Sequence, residues 1–344
     1  EKYNKIVKEY TELRAVELRA LEMREDILID YITSKSPKKF KSEQARAFLE
    51  ELKPSLEKYP NSYWLHLCAH LIAIYERMVV FDYFGTAEVC RKAIQFFEQK
   101  PYETKLPKAI FYHQLLVCLT LMKEYEEAEQ IAQEAAKLVP EGSLTWFRGY
   151  EQYLVLHLHS HHYDKAYEIF KKITRHRQFQ AMAESEQEVW RIYGAWFEYF
   201  LMTGKIASGK KSTRRAFKLT KFLNEIPTFS KDKKGLNIPL LLLQILFHLE
   251  AQNYDKVEDR LLALEKYAAR HLNEEDTSFR TACLVRMLKY MPKLGYDPKK
   301  IIPKTKKLLA RMSKMPVMIA DQLHEIEIIP YEDYWSFAIS ALKK

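Results

Sequence analysis

Two groups of histidines and two runs of lysine and arginine are the residues of this 344-residue chain whose types and spacing could do chemistry. His66 and His70 stand four apart around Cys68, and His157, His159, His161 and His162 close an apolar segment. On a helix such an i,i+4 pair shares one face, so two imidazoles could be aimed at one metal ion. A site needs a third protein ligand, and none stands at a suitable spacing. Satisfied core and turn histidines are the simpler reading, and neither a metal nor a cofactor is assigned.

The basic runs are sharper. KIASGKKSTRRAFKLTK contains Lys205, Lys210, Lys211, Arg214, Arg215, Lys218 and Lys221 with no acid among them. PKKIIPKTKKLLARMSK does the same with Lys299, Lys300, Lys304, Lys306, Lys307, Arg311 and Lys314. Helices usually offset lysine with glutamate one turn away, so acid-free runs point to phosphates or to an acidic protein surface. A solvated basic face that aids solubility is the competing reading. The patch residues are Lys210, Lys211, Arg214, Arg215 and Lys218, with Lys304, Lys306 and Lys307. No zinc-finger or RNA-recognition signature accompanies them, so a nucleic-acid contact here would address the backbone and not the bases.

Catalytic motifs do not appear. Neither GxxxxGK[ST] nor GxGxxG occurs to cradle a phosphate, and no GxSxG elbow is present. His324-Glu325 opens an HExxH pattern that lacks its second histidine. Most acids, as at Glu124, Glu126 and Glu127, sit where a helix surface would place them beside lysines. The expectation is a protein that is not an enzyme.

The formal net charge of +9 comes from 55 Lys+Arg against 46 Asp+Glu. It is uneven: residues 1–172 hold 25 against 26, and residues 173–344 hold 30 against 20, so the second half carries the basicity. Hydrophobic residues make up 47% and aromatics 13%, enough for a large core, while 8 glycines and 13 prolines leave few turns for a sheet. An all-α fold is expected. Cys68, Cys90, Cys118 and Cys283 form no CxxC pair and fall in apolar stretches, which suits buried thiols in a reducing compartment. The strongest apolar run, residues 239–247, is too short for a bilayer, so a cytoplasmic location is expected. The chain opens at Glu1 without methionine, which leaves room for upstream sequence.

The elements that must position these residues are helices in pairs. In residues 112–140 Leu115, Leu116, Leu119 and Met122 recur at helical spacing, then Tyr125, Ala128, Ile131, Ala132 and Ala135, and Pro140 ends the unit. Tyr112 near the start of the first helix, Tyr125 opening the second, then Ala128, Ala135 and the closing Pro140 resemble the tetratricopeptide repeat (TPR). HHYDKAYEIF repeats the pattern at Tyr163, Ala166 and Phe170, and NYDKVEDRLLAL at Tyr254, Val257 and Leu261. The offset of 38 residues between Tyr125 and Tyr163 exceeds the family's 34, and Leu116 and Leu154 stand where the family has a small residue. The resemblance is thus TPR-like and covers about residues 108–272.

Five pairs are expected: Ser62–Val80 with Thr86–Gln99, the central pair, Ser143–Arg177, Glu188–Met202 with Ser208–Glu225, and Pro239–His271. An N-terminal helical segment, 1–60, precedes the pairs of 61–272. It comprises a helix to Thr33 with one apolar stripe through Ile6, Val7, Tyr10, Leu13, Leu18, Leu21, Ile27, Leu28 and Tyr31, then a helix over Ser42–Tyr59 that Pro54 is expected to kink or divide. The last part, 273–344, is expected to hold helices Asp276–Met291 and Pro298–Lys314, an extended Glu325–Ile329 and a capping helix from Tyr331. Capping is the simplest role for this tail; docking to another protein is the alternative.

The resemblance implies a right-handed α-solenoid that acts as a scaffold or adaptor, holding a protein or peptide in its groove. Arg148, Glu151, Trp190, Tyr193 and Phe197 are the candidate groove residues. The helix carrying the last three is apolar on every side, so burial competes with ligand contact, and burial is favoured. The alternative function is a nucleic-acid-associated or peptide-sensing regulator working through the basic half.

Overall fold

The computed structural model describes residues 2–33, 38–207, 237–271, 279–317 and 327–343. Among these residues every regular element is helical, and most helices adjacent in sequence pack on one another. The chain forms two compact units, Glu1–Gln152 and Tyr153–Lys344. Their boundary falls inside a helix, where neither composition nor punctuation marks it.

The first unit holds α1 (Lys2–Thr33), α2 (Lys38–Lys58), α3 (Tyr63–Met78), α4 (Tyr83–Glu98), α5 (Lys105–Met122), α6 (Tyr125–Leu138) and the start of α7 (Leu144–His159). Ala20, Met23 and Ile27 of α1 meet Ala45 and Leu52 of α2 and Leu65, Cys68 and Ile72 of α3 in one buried cluster. Each large aliphatic chain so buried contributes roughly 1.5–3 kcal/mol. Ser62 joins α1 to α3: its hydroxyl accepts from the Leu65 amide at 3.2 Å and donates to Glu17 at 2.8 Å.

Three local expectations change. α1 has two apolar stripes: Ala20, Met23 and Ile27 face the core, while Ile6, Val7, Tyr10, Leu18, Leu21 and Leu28 are exposed. α2 begins at Lys38 and runs unbroken through Pro54. α5 begins at Lys105, so Tyr112 is mid-helix; Pro107 fits its first turn, where amides have no helical acceptor to lose.

The second unit holds the end of α7, α8 (Tyr163–Thr174), α9 (Glu184–Met202), α10 (Asn237–Glu250), α11 (Tyr254–His271), α12 (Phe279–Leu288), the one-turn α13 (Tyr290–Lys293), α14 (Pro298–Met312) and α15 (Tyr331–Ala341). The partner expected for α9 over Ser208–Glu225 lies outside the described residues. The helix expected over Asp276–Met291 breaks after Leu288, because Pro292 has no amide to bond the Leu288 carbonyl. Residues 327–329, the described part of the expected extended segment, do not form a strand.

One turn recurs along the chain. Phe81, Lys123, His161 and Gln252 all have positive φ, between 53° and 64°. The residue after each donates back across the helix end: Asp82 to Arg77 O at 3.0 Å, Glu124 to Leu119 O, His162 to His157 O and Asn253 to His248 O, each at 2.9 Å. This is the Schellman closure, which satisfies carbonyls left open by the last helical turn. A helix beginning with tyrosine follows every time, at Tyr83, Tyr125, Tyr163 and Tyr254.

Candidate interaction surface

α14 is an amphipathic helix built for a basic outer face. Asp297 caps it by accepting from the Lys299 amide at 2.9 Å, and Pro298 occupies its first turn, where a missing N–H is harmless. Ile301, Thr305 and Met312 are buried, and α14 packs on α12 and α13. Lys299, Lys300, Lys304, Lys306, Lys307 and Arg311 are exposed, as is Lys314 just beyond the helix. At 3.6 residues per turn these seven cations fall within about 160° of arc.

Among the described residues few of them are engaged. Lys300 reaches Asp297 at 3.6 Å, and the Arg311 guanidinium lies over the Phe279 ring at 5.2 Å. Of the sequence-proposed patch, Lys304, Lys306 and Lys307 share this face; Lys210, Lys211, Arg214, Arg215 and Lys218 lie outside the described residues.

What holds α14 in place is a buried ionic cluster centred on Arg280 of α12. Its guanidinium donates to Glu327 at 2.6 and 3.0 Å, to Glu332 at 2.7 and 3.0 Å, and to the carbonyls of Met312 and Met315 at 2.9 and 3.1 Å. Arg280 thus satisfies carbonyls at the end of α14 with a positive charge, the sign favoured there. The Glu327 carboxylate also accepts from the Tyr331 amide at 3.2 Å, which caps α15. One guanidinium therefore ties α12, the α14 end and the tail together.

Arg280 is 2% exposed and Glu327 1%. Desolvation alone would weaken the Arg280 charge, but the two carboxylates outweigh it and push its pKa up. Burial pushes the Glu327 carboxyl above its ordinary range despite Arg280, whereas contacts with Arg280 outweigh burial and hold Glu332 below. Sequence reasoning missed this cluster: Arg280 and Glu332 stand 52 residues apart, and an arginine set among apolar residues was the available signal.

The tail, α15, packs on α10 and α12. Tyr334 donates to Leu242 O at 2.9 Å, and Tyr331 and Thr281 hydroxyls are 2.9 Å apart. Tyr334, Trp335, Phe337 and Ile339 are buried, so the tail covers an apolar face.

Trp190, Tyr193 and Phe197 are brought together in the second unit, but inside it, at 2%, 2% and 1% exposure. Trp190 meets Tyr193 edge-on at 5.7 Å, and Phe197 packs on Phe170 at 5.0 Å. Gly194 makes that contact close: a Cβ there would stand 3.0 Å from the Phe170 ring. These aromatics are core, so they present no ligand surface. Arg148, exposed, and Glu151, half-buried, belong to the first unit.

Comparison with known proteins finds no matching family model, no matching curated protein and no matching solved structure.

His66, His70, His159 and His161 sit in packing and turn contacts. His66 lies 3.1 Å from Tyr59 O and stacks on Phe96 at 4.3 Å; burial pushes His70 down to about 4. His159 is buried, with Nε2 3.0 Å from Glu327 O, and burial takes it to about 4 as well. Nε2 must carry the proton there, since a carbonyl can only accept. His161 Nε2 lies 2.7 Å from Asp333. Among the described residues no three His, Cys, Asp or Glu side chains are grouped to hold a metal. All four cysteines are buried free thiols, and burial raises Cys90 and Cys118, which keeps them protonated and unreactive.

Proposed function

We propose that this chain is a non-catalytic binding scaffold of the cytoplasm that holds an acidic protein or peptide segment on the basic face of α14. The observation that carries the reading is that face itself: seven exposed cations in an acid-free run, on a helix whose C-terminal end is held by Arg280. A concentrated lysine surface is attractive at long range and raises the capture rate of anionic partners. Its lysines are point charges that suit flexible carboxylates without demanding one fixed geometry. The recurring Schellman turns and the buried Ala128, Ala132 and Ala135 of α6 support a right-handed TPR-like stacking of the helix pairs. A partner held in a groove would not use Trp190, Tyr193 or Phe197 directly.

The test is titration of the parent and of a Lys304→Glu/Lys306→Glu/Lys307→Glu variant with a poly-glutamate peptide and with mixed-sequence DNA. Circular dichroism checks that the variant stays folded. The expected result is peptide binding that weakens with salt and at least tenfold in the variant. DNA binding without peptide binding, with log affinity falling by about 0.9 per neutralised phosphate against log salt, would decide for the nucleic-acid reading. Equal binding by parent and variant, or none by either, would overturn both.

A further inference from the structure

α1 exposes a second apolar stripe that carries one charge of each sign. The helix turns Ala20, Met23 and Ile27 inward and leaves another apolar line in solvent: Tyr10 is 64% exposed, Leu18 53% and Ile29 58%. Leu21 and Leu28 belong to that line at 36% and 39%. Its positions 11, 14, 18, 21, 25 and 28 alternate by three and four, the spacing of a coiled-coil seam. The only charges at those positions are Arg14 and Glu25.

Those two charges are symmetric about the midpoint between Leu18 and Leu21. So are Thr11 with Leu28, and Tyr10 with Ile29. Two α1 helices laid antiparallel in this register set each Leu18 opposite Leu21 of the other copy. Each Arg14 then faces Glu25 of the other copy, and the twofold axis makes that contact twice. A parallel pairing would place Arg14 on Arg14 and Glu25 on Glu25, so the same side chains that favour one orientation oppose the other. Within one chain Arg14 pairs with Glu17 at 2.7 Å and Glu25 with Arg24 at 2.7 Å. Arg14 and Glu25 keep about half their surface in water, 48% and 50%. Their partners Glu17 and Arg24 are less exposed, 11% and 27%, but Glu17 keeps its bond from Ser62 when Arg14 turns to a new partner, and Glu25 can turn likewise.

We infer that α1 is a self-association helix, and that two copies of this chain pair antiparallel through residues 10–29. The seam is roughly 30 Å long, which suits a dimer that dissociates on dilution. This rests on α1 alone and is independent of the α14 reading.

The experiment is sedimentation equilibrium of the chain from micromolar to near-millimolar concentration, with circular dichroism on every variant. The parent is expected to move from monomer to dimer. Leu18→Glu, at an exposed site that leaves the core untouched, is expected to stay monomeric. Arg14→Glu alone and Glu25→Arg alone set like charges face to face and are expected to weaken the dimer at least tenfold. The Arg14→Glu/Glu25→Arg double variant, and an equimolar mixture of the two single variants, restore opposite charges and are expected to recover it. A parent that stays monomeric throughout, a dimer indifferent to Leu18→Glu, or charge swaps that fail to rescue would each overturn the inference.

Discussion

Replacing Arg280 with methionine is the sharpest probe of how the second unit holds its tail. The substitution roughly conserves volume but removes every donor of the guanidinium. Glu327, 1% exposed, would lose both of its Arg280 bonds and keep only the Tyr331 amide at 3.2 Å. Glu332 is 30% exposed at its side chain and can rehydrate. The Met312 and Met315 carbonyls lose a charged donor as well. Breaking one side of a buried ion pair typically costs 3–5 kcal/mol, most of it the uncompensated charge left behind. Taking the lower figure, about 3 kcal/mol raises the open population of the tail by about a hundredfold. Amide hydrogen exchange over residues 331–341 reads that population directly, with α4 in the first unit as control. The Arg280→Met/Glu327→Gln variant leaves no buried charge unpaired, because the side-chain amide that replaces the carboxylate does not ionise. Its tail is expected to recover at least half of the lost free energy. Exchange in Arg280→Met within a factor of about three of the parent, or a double variant no better than the single, would refute the argument, since the cost was assigned to a stranded carboxylate.

Two further outcomes follow from the same structure. His159 has its pKa pushed down to about 4, so between its ordinary 6.5 and 4 the unfolded chain binds the proton that the folded chain refuses. Its stabilising effect is therefore full above 6.5 and is lost as pH falls toward 4, by at most about 3 kcal/mol. The urea midpoint of the second unit should fall over that range in the parent and fall less in His159→Gln; equal slopes would sink this assignment. Lys123 sits at φ 64°, where glycine carries no Cβ penalty. Lys123→Gly should stabilise the α5–α6 turn by up to about 1 kcal/mol, raising the melting temperature of the first unit by roughly 2–4 °C; a fall in melting temperature would contradict it.

Much of the helix inventory was written in the sequence, because a 3.6-residue period needs only local information. Leu115, Leu116 and Leu119 announce α5, and Ala128, Ala132 and Ala135 announce the face of α6 that is buried. The basic arc of α14 was likewise visible, since Lys299 to Lys314 fall on one side of any helix drawn through them. Periodicity could not say which of two apolar stripes on α1 meets the core, because both satisfy the same spacing. Nor could it separate ligand contact from burial at Trp190, Tyr193 and Phe197, where every side of the helix is apolar.

Sequence by itself therefore determined that this chain is helical, that its helices come in pairs, and where its cations are concentrated. Tertiary structure alone decided which surfaces are left for a partner. It drew Arg280, Glu327 and Glu332 into one buried cluster, and it put Phe81, Lys123, His161 and Gln252 into a turn usually made with glycine. The physical reason is one of range. A helix is closed by hydrogen bonds four residues apart, whereas desolvation and ion pairing depend on groups that meet only after the chain has folded.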